Sequence, residues 1–178
     1  MLKSNCFYTK RLLVRSFDSR DFDSFFRLLN HPMINHFLGA HRFFSRLDLI
    51  KDFLIQMSSK KDPAQSQSWL LYSIVDRTNQ QLIGGCGLKI DLKYIYAEIF
   101  YLMFPEYWGQ GLAAEACFPI LENSFRMFGL KSIIAFIDPK NKRAQRVAAK
   151  LGFSYIEMNQ LKRYYQRIEV QQWAVLPV

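Results

Sequence analysis

Glu98-Ile99-Phe100-Tyr101-Leu102-Met103-Phe104-Pro105-Glu106-Tyr107-Trp108-Gly109-Gln110-Gly111-Leu112-Ala113-Ala114-Glu115-Ala116 decides how the rest of the chain is read. The apolar run Ile99 to Phe104 reads as a buried strand, Pro105 to Gly111 as a turn, and Leu112 onward as a helix. Two glycines one residue apart leave room for a ligand at the backbone. The first N–H groups of the helix, which have no intrahelical acceptor, then face that space with the positive end of the helix dipole behind them. Such a turn holds phosphate. It is neither a P-loop, since no Gly-Lys-Ser/Thr follows, nor a dinucleotide fingerprint, since the third glycine is missing.

Outward from this stretch, the chain alternates in a regular way. Upstream, Trp69 to Val75, Leu82 to Ile90 and Tyr94 to Phe104 are rich in aromatic and branched residues. Asp76 to Gln80 and Asp91 to Lys93 separate them, which predicts an antiparallel meander. Before it, Arg11 to Arg15 predicts a first strand, and Asp18 caps a helix with Phe22, Phe25, Phe26 and Leu29 on one face, ended by Asn30-His31-Pro32. Ser45-x-x-Asp48 followed by Leu47, Ile50, Leu54 and Met57 predicts a second helix. Downstream, Ala114, Cys117, Leu121, Phe125 and Phe128 trace a helical stripe closed by Gly129. Pro119 inside it removes one hydrogen bond and predicts a kink at a cost of ~3 kcal/mol. Lys131 to Ile137 reads as a strand and Asn141 as the cap of a short helix stopped by Gly152. Phe153 to Glu157 and Arg163 to Val175 read as closing strands. The fold class is α+β, a mixed sheet with the ligand turn at the C-terminal end of a central strand.

The 178 residues, half of them apolar with sixteen Phe and nine Tyr, suffice for one core, and no repeat or linker divides residues 1–178, so a single domain is expected. Lys3, Lys10 and Arg11 interrupt the N-terminal apolar residues, which excludes a signal h-region or a membrane span there and predicts a cytoplasmic protein. Cys6, Cys86 and Cys117 are odd in number and lack Cys-x-x-Cys spacing, so neither a disulfide framework nor a zinc site is expected. With 24 Lys and Arg against 15 Asp and Glu, the net charge of +9 suits an anionic partner, whether nucleic acid, ribosome or polyphosphate cofactor, and equally suits a plain basic surface. Neither RNP-type strands nor a helix-turn-helix signature supports nucleic-acid recognition.

These residues resemble the GNAT superfamily of N-acetyltransferases, and within it the branch of the RimJ/RimL ribosomal-protein N-terminal acetyltransferases. Leu12-Leu13-Val14-Arg15, Asn30-His31-Pro32 through Phe37-Leu38-Gly39, and Leu82-Ile83-Gly84 with Gly87 are similar to the branch's opening strand, first loop and glycine-bearing strand. Glu98 to Tyr101, Pro105 to Ala116, and Asn141 through Lys150-Leu151-Gly152-Phe153 occur in family order and at family spacing. The resemblance implies a mostly antiparallel sheet of about seven strands, splayed between its fourth and fifth, and flanked by about four helices. It also implies acetyl-CoA as donor, with the pyrophosphate on the backbone of Gln110, Gly111, Leu112, Ala113 and Ala114, and pantetheine on N–H groups near Leu102 and Met103. No metal is implied. Trp108 stands where the superfamily usually has Gln or Arg. Ala144 stands where some relatives carry a hydroxyl for the departing thiolate.

Acetyl transfer needs a deprotonated amine, a polarised carbonyl and a stabilised leaving thiolate. Glu98, a carboxylate in an apolar strand that shares a face with Tyr96, Phe100 and Leu102, is the candidate general base, with a salt bridge as its structural alternative. Tyr164 and Tyr165 lead Tyr155 as phenols able to serve the thiolate. Asn141 is a helix cap that the resemblance also places near the cofactor. Arg143 and Arg146, with Lys142 and Lys150, suit the ribose 3′-phosphate or form a solvated basic face. His31, His36 and His41 are expected to pack in the loop bordering the acceptor site. The expected acceptor is a protein N-terminal α-amine. A polyamine or antibiotic amine, a non-catalytic acyl-CoA sensor, and a ribosome-associated role remain as alternatives, in a monomer or homodimer.

Overall fold

The computed structural model describes residues 6–38, 67–91, 93, 95–138, 140–156 and 166–171. Eight strands form one sheet: β1 (Phe7–Tyr8), β2 (Leu12–Ser16), β3 (Gln67–Asp76), β4 (Leu82–Asp91), β5 (Tyr96–Met103), β6 (Ser132–Ile137), β7 (Ser154–Ile156) and β8 (Gln166–Gln171), in the spatial order β1-β2-β3-β4-β5-β6-β8-β7. Four helices are described: α1 (Phe22–Asn30), α2 (Pro32–Leu38), α3 (Leu112–Phe128) and α4 (Lys142–Lys150). The predicted meander is β3-β4-β5, antiparallel throughout. The strand beyond the predicted seven is β1, too short for a hydrophobic period to show. The predicted helix beginning at Ser45 lies outside the described residues.

Two local expectations are corrected. Asp18 caps a three-residue 3-10 turn, Ser19–Asp21, which runs on into α1, so the cap acts one turn ahead of the helix proper. Asn30-His31-Pro32 does not open a loop. Pro32 starts α2, where its missing N–H costs nothing, and the Met33 N–H donates to His31 Nδ1 at 3.3 Å. His31 therefore serves as a helix cap.

The sheet separates two apolar clusters. On one face α3 and α4 cover Leu12, Val14, Ile74, Cys86, Leu88, Ile90, Ala97, Ile99 and Ile133 with Ala116, Cys117, Ile120, Leu121, Ala148 and Leu151. On the other, α1 sets Phe25 and Leu29 against Phe17 and Leu71, flanked by Trp69, Phe100 and Leu102. Gly85 and Gly87 of β4 make the second packing possible. A Cβ on either would fall within the ring of Phe25 or of Phe100. Helix α3 runs unbroken through Pro119 and ends as predicted at Gly129, whose φ of 58° lets its N–H return to Phe125 O at 3.1 Å.

The feature that opens a cleft is the seam between β5 and β6. Among the described strands these are the only neighbours that run parallel, and their register covers Tyr96↔Ser132, Ala97↔Ile133 and Glu98↔Ile134 alone. The eight-residue β5 continues to Met103 without β6 beside it. That divergence is the predicted splay. Ile95, at φ 56°, turns its carbonyl to accept the Lys131 N–H at 2.9 Å and so begins the seam.

Candidate functional site

The phosphate-type turn adopts the geometry its glycines predict. Gly109 and Gly111 have φ of 79° and 78°, and Gly111 is the N-cap of α3 with no side chain capping the helix. The first intrahelical bond there is Glu115 N–H to Gly111 O at 3.1 Å, so the N–H groups of Leu112, Ala113 and Ala114 point out of the helix end. A Cβ on Gly111 would lie 3.7 Å from Lys150 Nζ and 4.0 Å from Arg11 Nη2, which places two cations beside the turn.

Arg11 is held there by a clamp that sequence reasoning missed. The Glu115 carboxylate accepts from Thr9 Oγ1 at 2.6 Å, the Arg11 amide at 2.8 Å and Arg11 Nε at 2.7 Å, while Arg11 Nη1 donates to Gln110 O at 3.1 Å. Burial pushes the Glu115 carboxyl up, but these hydrogen bonds outweigh it and hold it below the ordinary carboxylate range. The signal was available in principle, since an acid in a helix's first turn is favoured by the dipole. Its partners, however, lie about a hundred residues upstream.

A cavity of about 650 Å³ extends from this turn along the splay. Its walls include Glu98, Leu102, Met103, Gly111, Leu112, Ala113, Asn141, Arg143, Ala144, Arg146 and Lys150, so the structure brings together most of the residues singled out from sequence. Gln110 and Ala114 adjoin it in the chain. Tyr155 lies on β7 and is exposed, and Tyr164 and Tyr165 lie outside the described residues, as does His41. Exposed Arg143, Arg146 and Lys150 sit at the α4 end of the cavity.

Backbone register decides which amides of β5 face the splay. Phe104 N–H donates to Ile83 O of β4 while Ile95 O accepts from Lys131 beside β6, so even-numbered residues of β5 direct their backbone groups to β4 and odd-numbered ones to β6. The N–H of Leu102 is accordingly turned to Gly85, and those of Tyr101 and Met103 point into the open side. The donor expectation near Leu102 and Met103 thus shifts by one residue, to Tyr101 and Met103. The carbonyl of Met103 accepts Trp108 Nε1 at 2.7 Å, and the Arg143 guanidinium lies 5.1 Å from the Trp108 ring centroid. Trp108 therefore joins the end of β5, the glycine turn and α4.

Tyr101 spans the splay from within. Its partly buried phenol donates to Ala144 O at 2.8 Å, and desolvation, with Cys117 nearby, pushes its pKa well above the ordinary phenol value. That hydroxyl is a tie between β5 and α4 and a poor acid. Asn141 Oδ1 accepts the Ala144 N–H at 3.0 Å, the capping role expected of it. Glu98 is half-buried at the last position of β5 paired with β6, with Lys89 directly opposite on β4. Lys89 Nζ in turn lies 5.5 Å from the Trp69 ring centroid. Among the described residues no cluster of metal-ligating side chains occurs, and no helix is long and apolar enough to cross a membrane.

The model of the acetyltransferase (GNAT) domain family matches residues 11–154. The uncharacterized N-acetyltransferase YoaA of Bacillus subtilis (strain 168) is 25% identical over 146 residues, covering 82% of this chain and 80% of its own. A shorter match, 30% identical over 67 residues and 36% of each chain, is to the spermidine N(1)-acetyltransferase of Escherichia coli (strain K12). Among solved structures, the ribosomal-protein-S5-alanine acetyltransferase from Vibrio fischeri superposes with a TM-score of 0.74 over 93% of this chain and 94% of its own, at 19% identity, a likeness of fold.

Proposed function

Since the chain belongs to the acetyltransferase (GNAT) family, whose members move an acetyl group from acetyl-CoA to an amine, we propose that it acetylates the α-amine at a protein N-terminus, by direct attack of the amine on the bound thioester. The observation that carries this reading is a single one. The uncapped first turn of α3 opens on the same cavity as Glu98. The fit to the donor is good at its anionic end: three outward N–H groups and the glycines' missing side chains take the pyrophosphate, and Arg11 and Lys150 flank it. Arg143 and Arg146 would hold the ribose 3′-phosphate, and the N–H groups of Tyr101 and Met103 the pantetheine and thioester oxygen. The donor supplies an acetyl thioester; the chain's own residues orient and deprotonate.

Glu98, at the base of the splay, takes the proton from the acceptor ammonium, directly or through water, before the nitrogen attacks. The leaving thiolate needs little help, since a free thiol ionises near pH 8.5, about one and a half units above neutrality. Ala144 therefore does not preclude turnover, and the general acid, if one acts, falls to Tyr164 or Tyr165. The cavity reaches half-exposed Met33, which leaves a mouth for a peptide to enter. A polyamine acceptor is the second reading, on the strength of the partial likeness to the spermidine enzyme.

The test pairs CoA release with calorimetric titration of acetyl-CoA. Glu98→Gln is expected to lower kcat by about 10²- to 10³-fold and to flatten the acid limb of the pH–rate profile while acetyl-CoA affinity stays within about twofold. Wild-type rate and profile in the variant would make Glu98 structural. Tight acetyl-CoA binding without CoA release from any amine would leave a sensor.

A further inference from the structure

The acceptor half of the cavity has a chemistry of its own. The even-numbered residues of β5 face α1, so Glu98, Phe100 and Leu102 share a wall with Phe25 and Leu29 of α1 and with Trp69 and Leu71 of β3. Among the described residues this wall is apolar apart from one carboxylate. The rings come close because β4 carries glycine at 85 and 87, leaving Phe25 and Phe100 to lie against bare backbone. Of the other charged residues described in the cavity lining, Arg143, Arg146 and Lys150 belong to α4, and Asp138, just before it, already accepts the Lys140 N–H at 2.7 Å.

On the acetyltransferase reading above, we infer that the acceptor is a monoamine whose nitrogen is borne by a large apolar group, either the N-terminus of a peptide that begins with a residue such as Phe, Leu or Met, or a free arylalkyl amine. The ammonium meets Glu98, and the apolar group replaces water against Phe25, Trp69, Leu71, Phe100 and Leu102. Burial of that apolar surface favours binding. A diamine or aminoglycoside would have to desolvate a second ammonium against rings and leucines, with Glu98 already engaged by the first. A short polar first residue such as Ser would leave the wall unfilled and its own hydroxyl unpaired.

The experiment measures kcat/KM for CoA release by the full chain with acetyl-CoA and a matched acceptor series. The series comprises peptides that differ only in a first residue of Phe, Leu, Met, Ala or Ser, together with phenethylamine, putrescine and spermidine. Apolar-first peptides or phenethylamine should exceed Ser- and Ala-first peptides and both polyamines by at least about tenfold. The peptide and free-amine arms tell which source the site prefers. Polyamines or Ser- and Ala-first peptides used as well or better would overturn the inference and leave the transferase reading intact, whereas no CoA release with any amine would overturn both. A second variant guards the placement. Met33→Glu, at a cavity position 48% exposed and so tolerant of charge, should shift the spermidine-to-phenethylamine ratio at least about fivefold toward spermidine. An unchanged ratio in a variant that still binds acetyl-CoA would overturn the placement of the acceptor.

Discussion

Helices α3 and α4 both begin at the cleft, yet they treat their first N–H groups in opposite ways. In α4 Asn141 turns its side chain back and takes the Ala144 N–H, so the helix end is satisfied from within the protein. In α3 the corresponding position is Gly111, in the left-handed region, with no side chain able to do so. The first N–H groups of α3 receive no such cap, and Arg11 and Lys150 stand beside them as they would beside an anion. A capped terminus contributes stability. An uncapped one with cations beside it keeps its hydrogen-bonding capacity for a ligand.

The sharpest way to break this contrast is to fill the open terminus. Gly111→Asp adds a Cβ at φ 78° and an anion among the N–H groups, and should weaken acetyl-CoA by at least about a hundredfold in calorimetric titration. Gly111→Asn, whose side chain tolerates the left-handed region and carries no charge, should lose less. Equal loss in both would mean that shape, and not charge, governs the turn.

A smaller effect is expected behind the turn. Glu115→Gln loosens the clamp on Arg11 and should cost about tenfold in acetyl-CoA affinity, the scale of one charge-assisted hydrogen bond. The same carboxylate gives a pH signature. Its pKa is lowered in the folded protein, so the stability it contributes is complete above the unfolded carboxylate value of about 4.3 and drains away as pH falls through the lower folded value. Asp21 acts in the same sense. Burial raises its pKa, but hydrogen bonds from Arg15, Ser73 and the Asp18 amide bring it below the ordinary value. Denaturant midpoints measured between pH 6 and 3 should fall for the wild type and fall less for Glu115→Gln.

The smallest effect belongs to the capped terminus. Asn141→Ala should cost about 1 kcal/mol in urea unfolding while moving acetyl-CoA affinity by less than threefold. A loss of affinity larger than the loss of stability would show that Asn141 serves the ligand as well as the helix.

Legibility in the sequence followed range of interaction. The strands of the meander, the glycine turn and both C-caps are written in residues adjacent to the structure they specify, and their bounds are met to within two residues or so. Trp108, Tyr101 and Arg11 were not read as site builders. Each acts through a partner chosen by the fold: Met103 O and Arg143 for the indole, Ala144 O for the phenol, and Glu115 for the guanidinium. The direction of the Leu102 amide was not legible for a related reason. Which amide of a strand faces a gap depends on register with neighbours, and register is fixed by pairing with β4. Asn30-His31-Pro32 ends α1 as expected, but the loop expected after it is α2, because a proline starts a helix as readily as it ends one.

The three-residue seam between β5 and β6 has a consequence for how the molecule moves. On one side lies a leaf of β1 to β5 joined by long antiparallel ladders, and on the other a leaf of β6, β8 and β7. The hydrogen bonds between the leaves are few, and the Tyr101 phenol is the described crossbar above them. The seam has fewer hydrogen bonds than either leaf, so local opening of the sheet is expected to start there, even though one apolar cluster packs against both leaves. The weak line of the sheet thus lies where two strands run out of neighbours, and hydrogen exchange at Ala97 and Ile133 would report on it.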